Sequence, residues 1–125
     1  ANRIAEEISL AEKSIYFMAF SFTSEEIADA MLFNNKADIE GLFEKMGSGS
    51  EYSQYKRLRD FGLGVRLENS SYMMHHKVFI IDNRTVITGS MNPTGSGDRK
   101  NDENILIIHD KDVADRYLEE FERLY

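Results

Sequence analysis

The sequence predicts an α/β domain in which a mixed β-sheet is sandwiched between helices, and three observations predict it. Amphipathic helical segments alternate with apolar, strand-like runs in the first half of the chain. After that, apolar runs follow one another with only turns or one loop between them, and an amphipathic helix closes the sequence. Strands separated by helices favour parallel pairing and consecutive strands antiparallel pairing, so the sheet is expected to be mixed, with helices on both faces. With 125 residues, 42% of them hydrophobic and 30% charged, one domain spanning 1–125 can bury its own core.

The elements follow in order. Residues 2–13 place Ile4, Ile8 and Ala11 at helical spacing between charges. Residues 14–22, SIYFMAFSF, are rich in aromatic and β-branched residues, which predicts a buried strand. TSEE (23–26) has a capping-box pattern and leads into a helix with Ile27, Ala30 and Met31 on one face. A strand is expected over 37–44. A GSGS loop (47–50) follows, of a kind found in natural loops and engineered linkers alike. Next come a helix over 51–61 closed by Gly62 and a short strand over 64–69. Strands are then expected over 75–82 and 85–90, joined by a turn at Asn83-Arg84. A loop from Met91 to Asp102 precedes a strand over 103–109 and a final helix with Val113, Tyr117 and Phe121 as its packing stripe. Long loops in compact domains are often functional.

Bulk chemistry narrows the function classes. The absence of cysteine excludes disulfides and thiolate metal sites. No apolar run approaches the roughly 20 residues needed to span a bilayer. The chain opens at Ala1 without a Met, so an upstream targeting or anchoring segment stays open and localisation is not assigned. The net charge of −7 argues against general nucleic-acid binding. Its distribution matters more. Met73 to Asn101 holds four Lys/Arg and two His against two Asp, whereas Asp102 to Tyr125 holds eight acids against three bases.

That positive window begins MHHKVFIID. Period-two alternation sets His75 and Lys77 on one face of a strand and His76 on the other, grouped there with Phe79 and Ile81. Asp82 lies an odd number of residues from His75 and is expected outside the same site. Ser90 and Asn92 share a parity in and after the next strand. A cluster of His75, Lys77, Ser90 and Asn92 at the ends of paired strands would combine a nucleophile or base, a cation, a hydroxyl and an amide donor. That set suits an anionic tetrahedral centre.

The arrangement His75-x-Lys77-x4-Asp82-x6-Gly89-Ser90-x-Asn92 resembles the signature of the phospholipase D superfamily at every fixed position. The resemblance extends to Glu103 in NDEN and to the layout before the motif, as in small single-motif, nuclease-like members. It implies the phospholipase D/nuclease-like fold. It further implies that His75 attacks phosphorus to give a phosphohistidine, with Lys77 and Asn92 holding phosphate oxygens. Ser90 would orient those groups or bond phosphate, and Glu103 would accept from a histidine ring nitrogen. Asp82 would be structural, and no metal or other cofactor would be required. One such motif supplies a nucleophile but no acid for the leaving oxygen, so a homodimer sharing one active site is expected. No other obligatory protein partner is evident.

Other residues carry weaker signals. His76 reads first as a core or supporting histidine, and His109 as structural. Arg99 and Lys100 read either as solvated loop charges or as substrate-phosphate contacts. The aromatic run of 16–22 reads as core, with Phe20 or Phe22 able to line a cleft. Nucleic acid is the leading substrate class. The alternatives are a phospholipid of the cardiolipin type, and a phosphate-binding module or fragment of a two-motif protein.

Overall fold

The computed structural model describes residues 2–19, 24–44, 54–68, 78–89 and 105–125. They form α1 (Asn2–Leu10), β1 (Ser14–Ala19), α2 (Glu25–Phe33), β2 (Asp38–Glu44) and α3 (Tyr55–Asp60). Then come β3 (Gly64–Glu68), β4 (Val78–Ile81), β5 (Thr85–Gly89), β6 (Ile105–His109) and α4 (Lys111–Leu124). The six strands make one sheet in the order β3-β2-β1-β4-β5-β6. The helix-separated strands β1, β2 and β3 pair in parallel, and β1–β4, β4–β5 and β5–β6 pair antiparallel. The mixed sheet expected from the order of elements is therefore present.

Alternation along each strand divides the core in two. Ile15, Phe17, Ile39, Phe43, Phe79, Ile81 and Ile87 pack with Ile4 and Ile8 of α1, Ile27 and Met31 of α2 and Leu58 of α3. Met18, Leu42, Val78, Ile80 and Val86 pack on the opposite face with Ala114 and Phe121 of α4, flanked by Val113 and Tyr117. The stripe expected for the last helix is thus its buried face. One grouping is corrected. Phe79 and Ile81 have the parity of His75 and Lys77, while Val78 and Ile80 have that of His76. His76 itself lies outside the described residues.

Several boundaries shift for identifiable reasons. Helix α1 stops at Leu10, short of residue 13, because the N–H groups of Glu12 and Lys13 are committed to the carboxylate of Asp82. The N-cap of α2 is Ser24, whose hydroxyl accepts from the N–H of Ile27 at 3.3 Å. Residue N3 is thus Ile27, which cannot return the second bond of a capping box. Helix α3 ends at Asp60, and Gly62 follows with φ of 89°, a left-handed conformation that suits a glycine after a helix. The β4–β5 turn sits one residue earlier than expected. Asp82 and Asn83 take φ of 54° and 53°, and Arg84 donates its N–H to the carbonyl of Ile81 at 3.0 Å. Asp and Asn are the non-glycine residues that best tolerate this region.

Two further contacts hold layers together. The Asn34 side chain donates to the carbonyls of Ile8 and Ala11 at 2.8 and 3.0 Å, and its oxygen accepts from the N–H groups of Lys36 and Ala37. It ties the end of α1 to the α2–β2 connection. At the edge strand β3, Arg66 donates to the carbonyl of Tyr125 at 2.7 Å and lies over its ring at 4.0 Å. The Tyr125 hydroxyl donates to the carbonyl of Gly64 at 2.7 Å, pinning the end of α4 across the sheet.

Candidate active site

The sheet has two unlike ends. At one end lie the first residues of β1, β2 and β3, the β4–β5 turn and the last residue of β6, as the registers Ser14↔Asp38, Ile15↔Ile81 and Thr85↔His109 require. At the other end, β1 finishes at Ala19, β4 begins at Val78, β5 finishes at Gly89 and β6 begins at Ile105. The registers Met18↔Val78, Val78↔Thr88 and Gly89↔Ile105 make these points neighbours. With strands about 4.8 Å apart, β4, β5 and β6 reach this end within roughly 10 Å of one another.

This second end is where the motif leaves the described strands. His75 and Lys77 immediately precede Val78, Ser90 and Asn92 follow Gly89, and Glu103 precedes Ile105. These five residues, with Arg99 and Lys100, lie outside the described residues, as do Phe20 and Phe22. The structure brings together the strand ends to which five of them are joined. It is also the carboxyl end of the parallel strands. Chain direction reverses between β1 and β4, because β1 leads outward to β2 and β3 while β4 returns to β1's other side. In open α/β sheets, ligands bind outside the carboxyl ends of strands at such a reversal.

The start of β4 is well anchored. The Phe79 ring stacks on Phe17 at 5.8 Å, Phe17 meets Phe43 edge-on at 5.5 Å, and Phe43 meets Tyr55 of α3 at 5.3 Å. Aromatic pairs at these separations contribute beyond their area of burial. Phe17 fits only because its cross-strand partner is Gly41, where a β carbon would overlap the ring.

Two motif residues are among those described: Gly89, which closes β5 at this end, and Asp82, which lies at the opposite end, immediately after β4. Its carboxylate accepts the N–H groups of Lys13 at 2.7 Å, Ser14 at 3.1 Å and Glu12 at 3.1 Å. Its own N–H donates to the carbonyl of Ser14 at 2.8 Å. Burial is the largest single influence on its ionisation and opposes it. The three N–H bonds and the Lys13 charge together outweigh burial, so the carboxyl titrates below its ordinary value of 3.8. A carboxylate stabilised this way contributes stability above its unfolded-state pKa, lost as pH falls through the lower folded value. Acid denaturation of the wild type below about pH 4 should therefore include a contribution that Asp82→Asn lacks. Asp82→Ala, which also loses the tolerance for positive φ, is expected to cost about 2 kcal/mol in urea unfolding. An unchanged midpoint in both variants would contradict this role.

His109 also sits at this far end, its Nδ1 3.1 Å from the hydroxyl of Thr85. Across the sheet, on β1 and β2, Tyr16, Asp38 and Glu40 line a cavity of about 410 Å³. Burial, reinforced by the charges of Glu40, Asp38 and Glu122, pushes the Tyr16 phenol above its ordinary value. Asn34 and Gly41, which organise the fold around β1, carried no signal in the sequence, because an amide or a missing side chain acquires meaning only from its neighbours.

Comparison with known proteins bears directly on this arrangement. A family model described as "Cardiolipin synthase, PLD-like domain" matches residues 4–125. The mitochondrial cardiolipin hydrolase of Xenopus laevis is 34% identical over 129 residues, covering 99% of this chain and 60% of that protein. A phospholipase D of Rickettsia felis is 33% identical over 121 residues, covering 93% of this chain and 59% of that protein. The chain thus spans about three-fifths of the length of these relatives. Among solved structures, the phospholipase D family member Nuc from Salmonella typhimurium superposes with a TM-score of 0.90 at 30% identity, over 98% of this chain and 84% of that one. NucT from Helicobacter pylori shares the fold at 20% identity, with a TM-score of 0.83.

Proposed function

Because the chain belongs to the phospholipase D-like family, we propose that it is a metal-independent phosphodiesterase that cleaves nucleic acid, at a site completed by a second copy. The observation that carries this reading is the convergence of β4, β5 and β6 at the reversal point of the sheet. It brings together the strand ends at Val78, Gly89 and Ile105, next to which the sequence carries His75 and Lys77, Ser90 and Asn92, and Glu103. In this reading the neutral imidazole of His75 attacks phosphorus as the bond to the leaving oxygen breaks, forming a phosphohistidine. The symmetry-related His75 protonates that oxygen. Water then attacks the phosphohistidine, gives up a proton to the same partner histidine, and frees His75. Lys77 and Asn92 stabilise the charge on the non-bridging oxygens. Ser90 orients them, and Glu103 fixes the tautomer of a histidine. Arg99 and Lys100 extend the contact to flanking phosphates.

The choice of nucleic acid is supported by the excess of basic residues from Met73 to Asn101 in an otherwise acidic chain, and by the fit of a twofold cleft to an extended polyanion. A second reading, a phospholipid substrate, is favoured by the relatives named cardiolipin hydrolase and phospholipase D. Incubation with single-stranded DNA, double-stranded DNA, RNA and anionic liposomes, each with and without EDTA, separates them. Cleavage of nucleic acid that survives EDTA and weakens steeply with salt is expected. Turnover of liposomes alone would transfer the assignment to the second reading. Lys77→Met should lower the rate about 10²- to 10³-fold with little change in melting temperature.

A further inference from the structure

We infer that Phe79 is a positioning residue for phosphodiester cleavage: its ring fixes the roll of β4 at the end that follows Lys77 and His75 in the chain. The inference rests on the phosphodiesterase reading and goes beyond it. Strand β4 is only four residues long, Val78 to Ile81, and all four are buried. Its start is placed within the sheet by the registers Met18↔Val78 and Val78↔Thr88. Such a ladder fixes spacing and register but leaves twist soft, since the angle between neighbouring strands ranges over about −10° to −35°. A catalytic constellation works only when its groups are held to within about 0.5 Å and 10–20°. The spread a ladder tolerates exceeds that window, so a second constraint must hold the strand start.

Phe79 supplies that constraint. It is buried, its parity is that of Lys77 and His75, and among the described residues of that parity it is the next along the chain from Lys77. Its ring stacks on Phe17 of β1 at 5.8 Å with 29° between the planes. Phe43 of β2 meets Phe17 edge-on at 5.5 Å and 85°, and Tyr55 of α3 meets Phe43 at 5.3 Å and 69°. The four rings form a column across three strands to the start of α3. Stacked and edge-on contacts are both favourable ring geometries, and Phe17, gripped by one of each, cannot turn without losing one. A leucine at 79 would still fill an apolar strand position, but it has no plane for Phe17 to hold. A reacting group displaced by about 1 Å can lose about 10²-fold in rate, so a roll too small to unfold the sheet is large enough to slow the chemistry. Phe121 is the contrasting case: it is equally buried, in the opposite layer, and its ring partners Tyr16 and Tyr125 do not belong to β4.

Cleavage of bis(para-nitrophenyl) phosphate tests this, because that probe carries the reacting phosphodiester and favours neither nucleic acid nor lipid. The full chain is assayed as wild type, Phe79→Leu, Phe17→Leu, the double variant and Phe121→Leu, each well below its own melting temperature. Phe79→Leu is expected to lower kcat about 10- to 100-fold with KM within about threefold of wild type, the mark of an interaction lost at the transition state. Phe17→Leu opens the same stack from the β1 side and should lower kcat alike, which also decides the matter should Phe79→Leu not fold. The loss in the double variant should fall well short of the product of the two single losses. Phe121→Leu, the same truncation in the other layer, should lower the melting temperature and leave kcat close to that of wild type. The proposal is overturned if folded Phe79→Leu cleaves as wild type does, if its loss appears in KM alone, or if Phe121→Leu loses as much kcat for the same change in melting temperature. Any of these in an active wild type would sink the positioning role alone and leave the phosphodiesterase reading standing. A wild type that cleaves neither this probe nor nucleic acid nor anionic liposomes would remove that reading, and the inference with it.

Discussion

His75→Asn is expected to remove phosphodiester cleavage by at least about three orders of magnitude while leaving the melting temperature unchanged. In the proposed mechanism the loss is large because the variant lacks both the nucleophile and, in a twofold site, the acid that protonates the leaving group. The fold is spared because the described core is complete without this residue: Val78, Phe79, Ile80 and Ile81 are buried by partners on β1, β5 and the two helix layers. Subunit mixing makes the test sharper. If both histidines of a dimer are needed, equimolar exchange between wild type and His75→Asn leaves about a quarter of the activity, whereas independent sites leave about half. In the proposed mechanism one histidine acts neutral and its mate protonated, so the pH profile of the wild type should be bell-shaped. Half-activity in the mixture, or a cleavage rate unaffected by the substitution, would remove His75 from the chemistry.

Gly41→Ala should give the largest stability loss of any conservative change in the sheet. The added β carbon would overlap the Phe17 ring, which is wedged between the Phe43 and Phe79 rings and is fully buried. Phe17 cannot swing aside without breaking both contacts, so strand β2 must move or the ring must leave its rotamer. Overpacking of this kind costs typically about 1–3 kcal/mol. Here the obstruction is a rigid ring at the centre of the core, so about 3 kcal/mol is expected in urea unfolding. Phe17→Leu alone should also destabilise, by leaving space beside Gly41. The double variant should recover part of the loss, with a coupling energy of about 1 kcal/mol or more. Strict additivity of the two losses would show that the ring and the glycine do not share one space.

Much of this architecture was legible in the residues. The helices were marked by Ile4, Ile8 and Ala11, by Ile27 and Met31, and by Val113, Tyr117 and Phe121, all at helical spacing and all in the core or packed against it. The strands were marked by β-branched and aromatic runs, and helix-separated runs did pair in parallel. Other features depended on distant partners. No local pattern says that α1 must stop at Leu10, because the reason is a carboxylate about seventy residues later. The turn preference of Asn-Arg over Asp-Asn could not be judged without knowing that Asp82 also binds β1. The motif was legible as spacing, since chemistry fixes residue types at strand ends.

The Asp82 bridge has a consequence for how the chain reaches this structure. Strand β1 emerges well before β4 in synthesis, yet one of its two neighbours is β4, and the carboxylate that binds the N–H groups of Glu12, Lys13 and Ser14 lies 70, 69 and 68 residues downstream. Until β4 arrives, β2 can pair with β1 and β3 but β1 can pair only with β2, and one side of an apolar strand stays open as a template for the wrong partner. Closing so long a loop late, after two helix crossovers have formed, places this fold among those whose non-local pairing limits their rate. A nascent chain paused before residue 82 is the form of this protein most exposed to aggregation.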